Sequence, residues 1–129
     1  MDLRPDLPRE GADFAVGVAH AAPSLRPVVD EHMQDHPELL PHVLFGQVTE
    51  CANFLARRDD RQAADELASL LAFLEEGLAG EHPYVIELVR DSFIENAQPP
   101  SEYGELRRKI MERPLLRQAY TEVVGAGFW

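Results

Sequence analysis

Cysteine is almost missing: the 129 residues contain one, Cys51. An intrachain disulfide and a cysteine zinc cluster are therefore excluded. Long apolar runs are also missing. The stretch of lowest polarity, FAVGVAHAA at residues 14–22, falls well short of the roughly 20 residues that cross a bilayer. The opening MDLRPDLPREGADF has neither the basic nor the apolar region of a signal peptide, so a cytoplasmic location is expected. Positive charge is scarce, with 12 Lys and Arg against 23 Asp and Glu and a net charge of −11. Nucleic acid and anionic membrane are poor partners for such a chain, because phosphate binding needs a cationic footprint. No segment alternates polar and apolar residues over strand length, and no Asn-Gly or Asp-Gly pair marks a hairpin. The G-x-S-x-G elbow, the Walker A loop, G-x-G-x-x-G and H-E-x-x-H are all absent.

What remains is a helical pattern. At 45% apolar residues and one domain's length, the chain can build a single core without staples. The expected fold is all-α: one compact bundle of five to seven helices, with residues 1–11 a loose arm and 125–129 a tail. DFAVGVAHAA reads as a short helix stopped by Pro23. Ser24 looks like the cap of the next helix, which should end before Pro37. Leu44, Val48, Cys51 and Leu55 form one stripe of a helix reaching Arg58, and Gly46 inside it suggests close approach by a neighbour. Ala64, Leu67, Leu71, Leu74 and Leu78 form the stripe of a helix over 62–78, with Gly77 and Gly80 suited to its C-terminal end. Pro83 opens a helix with Val85, Ile86, Val89 and Phe93 inward. Ser101 could cap another with Leu106 and Ile110 inward, and Pro114 opens the last with Leu115, Ala119, Tyr120 and Val123 inward. Short connections make neighbours antiparallel, and the segments 40–58/62–78 and 83–96/103–124 suggest stacked hairpins.

Three of the five histidines fall in VVDEHMQDHPELLPH, among four carboxylates. His32 and His36 share a helix face at i,i+4 and could hold a metal with Glu31, Asp35 or His42. The di-iron pattern Glu-x-x-His is not met by any histidine. A helix end suits imidazole, whose partial positive charge complements the dipole, so the expected reading is a polar helix end and turn with no metal and no cofactor. Cys51, on an apolar stripe, is expected to be a buried, inert thiol. Phe128 and Trp129 are expected to fold back on the core, the alternative being an aromatic anchor for a partner.

The charge map is uneven. Residues 59–95 hold ten acids and two bases, Arg61 and Arg90, for a net −8. Glu87, Asp91 and Glu95 follow each other at i,i+4, and Asp65 and Glu76, eleven apart, share a face of the preceding helix. Such a patch either aids solubility or steers a basic protein to the surface.

LLPHVLFGQVTECANFL and HPYVIELVRDSFIENA resemble a family of small bacterial all-helical proteins with no assigned enzymatic function. The matching positions are Leu40, Pro41, His42, Leu44, Phe45 and Gly46, then Val85, Leu88, Val89, Ser92, Phe93, Ile94 and Glu95. The resemblance spans about residues 25–120. Some such proteins resemble immunity proteins, which neutralise a toxin from sibling or rival bacteria. The resemblance implies an immunity-type, non-enzymatic role, and the charge map adds the expectation that it binds a basic partner, such as a nuclease toxin, through Asp65, Glu76, Glu87, Asp91 and Glu95. The alternatives are a metal-binding helical-bundle enzyme using His32 and His36, and a homo-oligomeric scaffold.

Overall fold

Prolines decide where several helices start. In the computed structural model, which describes residues 9–35, 40–97 and 103–124, Pro41, Pro83 and Pro114 each open a helix. Their fixed φ and missing N–H fit a position whose amide would have no intrahelical partner. The elements are α1 (Arg9–Ala21), a 3-10 turn (Pro23–Leu25), α2 (Arg26–Asp35), α3 (Pro41–Arg57), α4 (Arg61–Ala79), α5 (Pro83–Glu87), a π-helical segment (Leu88–Ile94), a second 3-10 turn (Glu95–Ala97), α6 (Gly104–Met111) and α7 (Pro114–Val124). The protein is an all-α bundle, with no strand among the described residues. Among the same residues, no helix is long and apolar enough to cross a membrane.

α3 lies at the centre, packed against α1, α2, α4, α6 and the π-helical segment. Its buried residues Leu44, Phe45, Val48, Ala52 and Leu55 meet Leu70, Leu74, Leu88, Phe93, Leu106 and Ile110 in one core. α3 thus serves both the N-terminal and the C-terminal helices of the bundle. The α3–α4 hairpin is closed by Asp60, whose carboxylate accepts from the Ala63 N–H at 3.1 Å and caps α4.

α1 and α4 run antiparallel and interlock through two glycines. The Phe73 ring of α4 lies over Gly17 of α1, where an added Cβ would meet it at 3.1 Å. The Phe14 ring of α1 lies over Gly77 of α4, where an added Cβ would meet it at 2.6 Å. The two rings stack at 4.6 Å with an 11° interplanar angle, a favoured offset geometry. Further along the same pair, the buried Glu66 carboxylate accepts from the Ser24 backbone N–H and, at 3.0 Å, from the Ser24 hydroxyl.

These contacts correct several expectations. Ser24 sits in the 3-10 turn bonded to Glu66 and does not cap α2. Gly77 is required by the Phe14 ring, and Gly80, with φ −76°, is not a left-handed cap. Among the described residues, Gly46 has only the Asn96 amide nearby, at 3.9 Å from an added Cβ, so no described helix approaches it closely. Ala64 is exposed, because α4 lies between α1, α3 and α7 and buries Ala63, Glu66, Leu67, Leu70, Leu71 and Leu74. Leu115 is 37% exposed while Leu116 is fully buried. A one-residue phase error turns a helix face by about 100°. The expected arm at 1–11 overlaps α1, which begins at Arg9. His36, Ser101 and the tail with Phe128 and Trp129 lie outside the described residues.

The expected single helix over 83–96 is α-helical only as far as Glu87. The next seven residues widen to i→i+5 pairing, a form often found at functional sites. The wider turn buries Leu88, Val89, Ser92, Phe93 and Ile94 together. Two of its carbonyls accept side-chain hydrogen bonds: Phe93 from the buried Thr49 hydroxyl at 3.0 Å, and Ser92 from the Asn96 amide.

Candidate functional site

The acids of 59–95 divide by what they touch. Four serve the fold. Asp60 caps α4 and forms a two-pronged pair with Arg58 at 2.9 and 3.0 Å. Arg58 holds the Asp60 carboxyl below the usual carboxylate range, with help from the Ala63 N–H. Glu66 holds Ser24. Glu75 accepts from Arg113 at 3.1 Å and from the Leu115 N–H at 2.7 Å, so it caps α7 from a neighbouring helix. Asp65 pairs with Arg61 at 3.8 Å in an exposed i,i+4 geometry.

Glu76, Glu87, Asp91 and Glu95 are exposed. Among the described residues, Glu76, Glu87 and Asp91 have no basic partner, and Arg90, the base closest to them in sequence, is paired with Glu122 of α7. Glu76 and α5 are brought together by packing, since Val85 lies 3.0 Å from where a Gly77 Cβ would be. Asp65 belongs elsewhere. It is eleven residues before Glu76 in α4, about 16 Å along the axis at 1.5 Å per residue. The structure thus places Glu76, Glu87, Asp91 and Glu95 at the C-terminal end of α4 and on the following helical run, and sets Asp65 near the other end.

Apart from the capping Asp60, charge at the two ends of α4 opposes its dipole. Arg61 is in its first turn and Glu76 near its last, with no acid in the first turn and no base in the last. Each reversed charge weakens a helix by about 0.3–1 kcal/mol at a surface position. Helix stability does not explain Glu76 or Arg61.

The histidines have other roles. His32 is 2% exposed, and its Nε2 accepts the Leu40 N–H at 3.0 Å, so it fastens the end of the α2–α3 connection. It is not the solvated helix-end imidazole that position alone suggests. Among the described residues, no group of three or more His, Cys, Asp or Glu is placed to hold a metal ion. His42 and Ser92, fifty residues apart, are hydrogen bonded through Nδ1 and Oγ, and the His42 ring meets Tyr84 edge-on at 5.8 Å. Both residues stand in the two sequence stretches set out above, LLPHVLFGQVTECANFL and HPYVIELVRDSFIENA. Those stretches marked the residues but not their contact. Ser92 is 4% exposed, so this pair ties α3 to the π-helical segment, and no substrate reaches the hydroxyl without movement. Cys51 is half-buried, and its thiol is pushed up by burial and then by the Glu66 charge. A raised thiol is a poor nucleophile at neutral pH.

In comparisons with protein-family models, curated proteins and solved structures, nothing matches this chain. The class the structure defines is an all-α bundle, with Glu76, Glu87, Asp91 and Glu95 among its exposed acids.

Proposed function

We propose that the protein is a non-enzymatic binding module of the immunity type, which docks a basic protein such as a nuclease toxin on Glu76, Glu87, Asp91 and Glu95. The observation that carries this reading is that Glu76, Glu87 and Asp91 are exposed and lack a basic partner among the described residues, while Glu66 and Glu75 on the same helix as Glu76 are used by the fold. Blocking a cationic surface requires matched charge and shape and no chemistry, and clustered charge acts mainly on the association rate. Asp65, paired with Arg61 and set apart, plays no part in the docking face.

The test begins with capture of partners from the source organism at low and moderate salt, followed by association kinetics with the purified partner. Replacing Glu87, Asp91 and Glu95 together with Ala slows association at least tenfold at low salt, and Asp65→Ala leaves it unchanged. Unchanged kinetics in the triple variant refute the reading.

A further inference from the structure

A groove of about 530 Å³ lies at the opposite end of α4 from Glu76, between the α3–α4 turn and α6. That volume is within the range of real binding clefts. Its walls carry five basic side chains, Arg57, Arg58, Arg61, Arg108 and Lys109, against three acids. In a chain of net charge −11 the lining itself carries a small cationic excess, although Arg61 and Arg108 also pair with Asp65 and Glu112 just outside it. Two of the acids are engaged: Asp60 by Arg58, and Glu105 by Arg108 at 2.6 Å. Among the described residues, Arg57 and Lys109 have no carboxylate partner, and Asp59 is the remaining unpaired acid of the groove. Leu55 and Leu67 are also part of the lining, so the groove has an apolar component.

An aromatic step adjoins it. Phe54 is 62% exposed, the most exposed of the large apolar side chains among the described residues, and the Arg58 guanidinium lies 5.8 Å from its ring centroid. Phe54, Glu50 and Asn53 line a second depression that shares Arg57 and Arg58 with the groove. An exposed aromatic beside arginines is the composition of interface hot spots, and here nothing in the fold requires it. The charge excess is small and local, with carboxylates in the walls and a strongly negative molecule behind it. A long polyanion would be repelled by that field, whereas a short acidic segment with an apolar side chain matches both parts of the surface.

We propose that this groove and Phe54 dock an acidic, amphipathic segment of a partner protein, with carboxylates on Arg57 and Lys109 and an apolar side chain against Phe54. The surface is about 22 Å along α4 from Glu76 at 1.5 Å per residue, so the proposal stands independently of the acidic docking face.

The test is selection of 12-residue peptides displayed as a random library against the full chain, followed by fluorescence anisotropy of the most enriched peptide. Enriched peptides carry Asp and Glu together with an aromatic or aliphatic residue. Arg57→Glu with Lys109→Glu weakens their binding at least tenfold, Phe54→Ser at least threefold, and Glu87→Gln with Asp91→Asn not at all. Urea midpoints within error of wild type confirm that these exposed variants fold. No enrichment, enrichment without acids, binding untouched by the Arg57 and Lys109 reversal, or tighter binding of a dT20 oligonucleotide than of the peptide would each overturn the proposal.

Discussion

Two glycines at interior helix positions should respond to alanine with opposite signs. Alanine in place of glycine inside a helix gains about 0.5–1 kcal/mol by restricting the unfolded chain and improving propensity. At Gly46 nothing among the described residues opposes that gain, since the nearest such atom is 3.9 Å from the new Cβ, an ordinary contact. Gly46→Ala should therefore stabilise by about 0.5–1 kcal/mol. At Gly77 the new Cβ would meet Phe14 at 2.6 and 2.7 Å and Val85 at 3.0 Å. Relief requires the ring to retreat by about 1 Å, because carbon contacts settle near 3.5–4.0 Å. The ring is held by Phe73 at 4.6 Å and by Phe45 at 6.2 Å, so retreat spends stacking energy as well as packing. Overpacking of this kind costs about 1–3 kcal/mol and the lost stacking about 0.5–1.5 kcal/mol more. After the propensity gain, Gly77→Ala should destabilise by about 0.5–4 kcal/mol, or about 2 at the middle of these ranges. With a urea slope of about 1.5 kcal/mol per M, a loss of 2 kcal/mol lowers the midpoint by about 1.3 M. Urea unfolding followed by circular dichroism measures both variants. A Phe14→Ala background should remove most of the Gly77→Ala penalty. A Gly77→Ala protein as stable as wild type, or an undiminished penalty without the Phe14 ring, would refute the interlock of α1 and α4.

Three further outcomes follow from particular contacts. Glu66→Ala removes the carboxylate that holds both Ser24 groups and should lower stability by about 1–2 kcal/mol, and a loss below about 0.3 kcal/mol by urea unfolding would show that solvent replaces it fully. Asp60→Asn keeps a capping oxygen but removes the charge that Arg58 stabilises. Because the folded carboxyl is held below its unfolded value, its contribution is present above the unfolded value of about 3.9 and fades as pH falls through the folded one. Wild type should exceed Asp60→Asn in stability at pH 6, and the gap should close in unfolding curves taken below about pH 3. Cys51, raised by burial and by Glu66, should react with iodoacetamide at pH 8 more slowly than free cysteine, and a faster reaction would contradict its setting.

The charge map shows how a count can mislead. Segment 59–95 reads as net −8, and every acid in it is available to a partner as far as composition can tell. In the fold, Glu66 and Glu75 bond to groups 42 and 38–40 residues away, and Asp60 and Asp65 answer nearby arginines. A local pattern cannot contain those partners, so the surviving acidic face is smaller than the sequence suggests. The basic groove was hidden for the same reason. Arg57 to Arg61 and Arg108–Lys109 are separated by almost fifty residues, and neither group stands out within its own segment.

Helix type, helix starts and most core positions were legible in the sequence alone, because they depend on local physics. Proline fixes φ and lacks a donor, and the 3.6-residue repeat sorts apolar side chains onto one face. Leu44, Val48, Leu67, Leu71, Val89, Leu106 and Ile110 were all found inside this way. Tertiary structure alone decided the π-helical stretch, the burial of Leu116 in place of Leu115, the roles of Gly77 and Ser24, the His42–Ser92 contact and the separation of acidic and basic ends. Each of these depends on which helix lies against which, through contacts between residues far apart in the chain, and no repeat within one segment encodes that pairing.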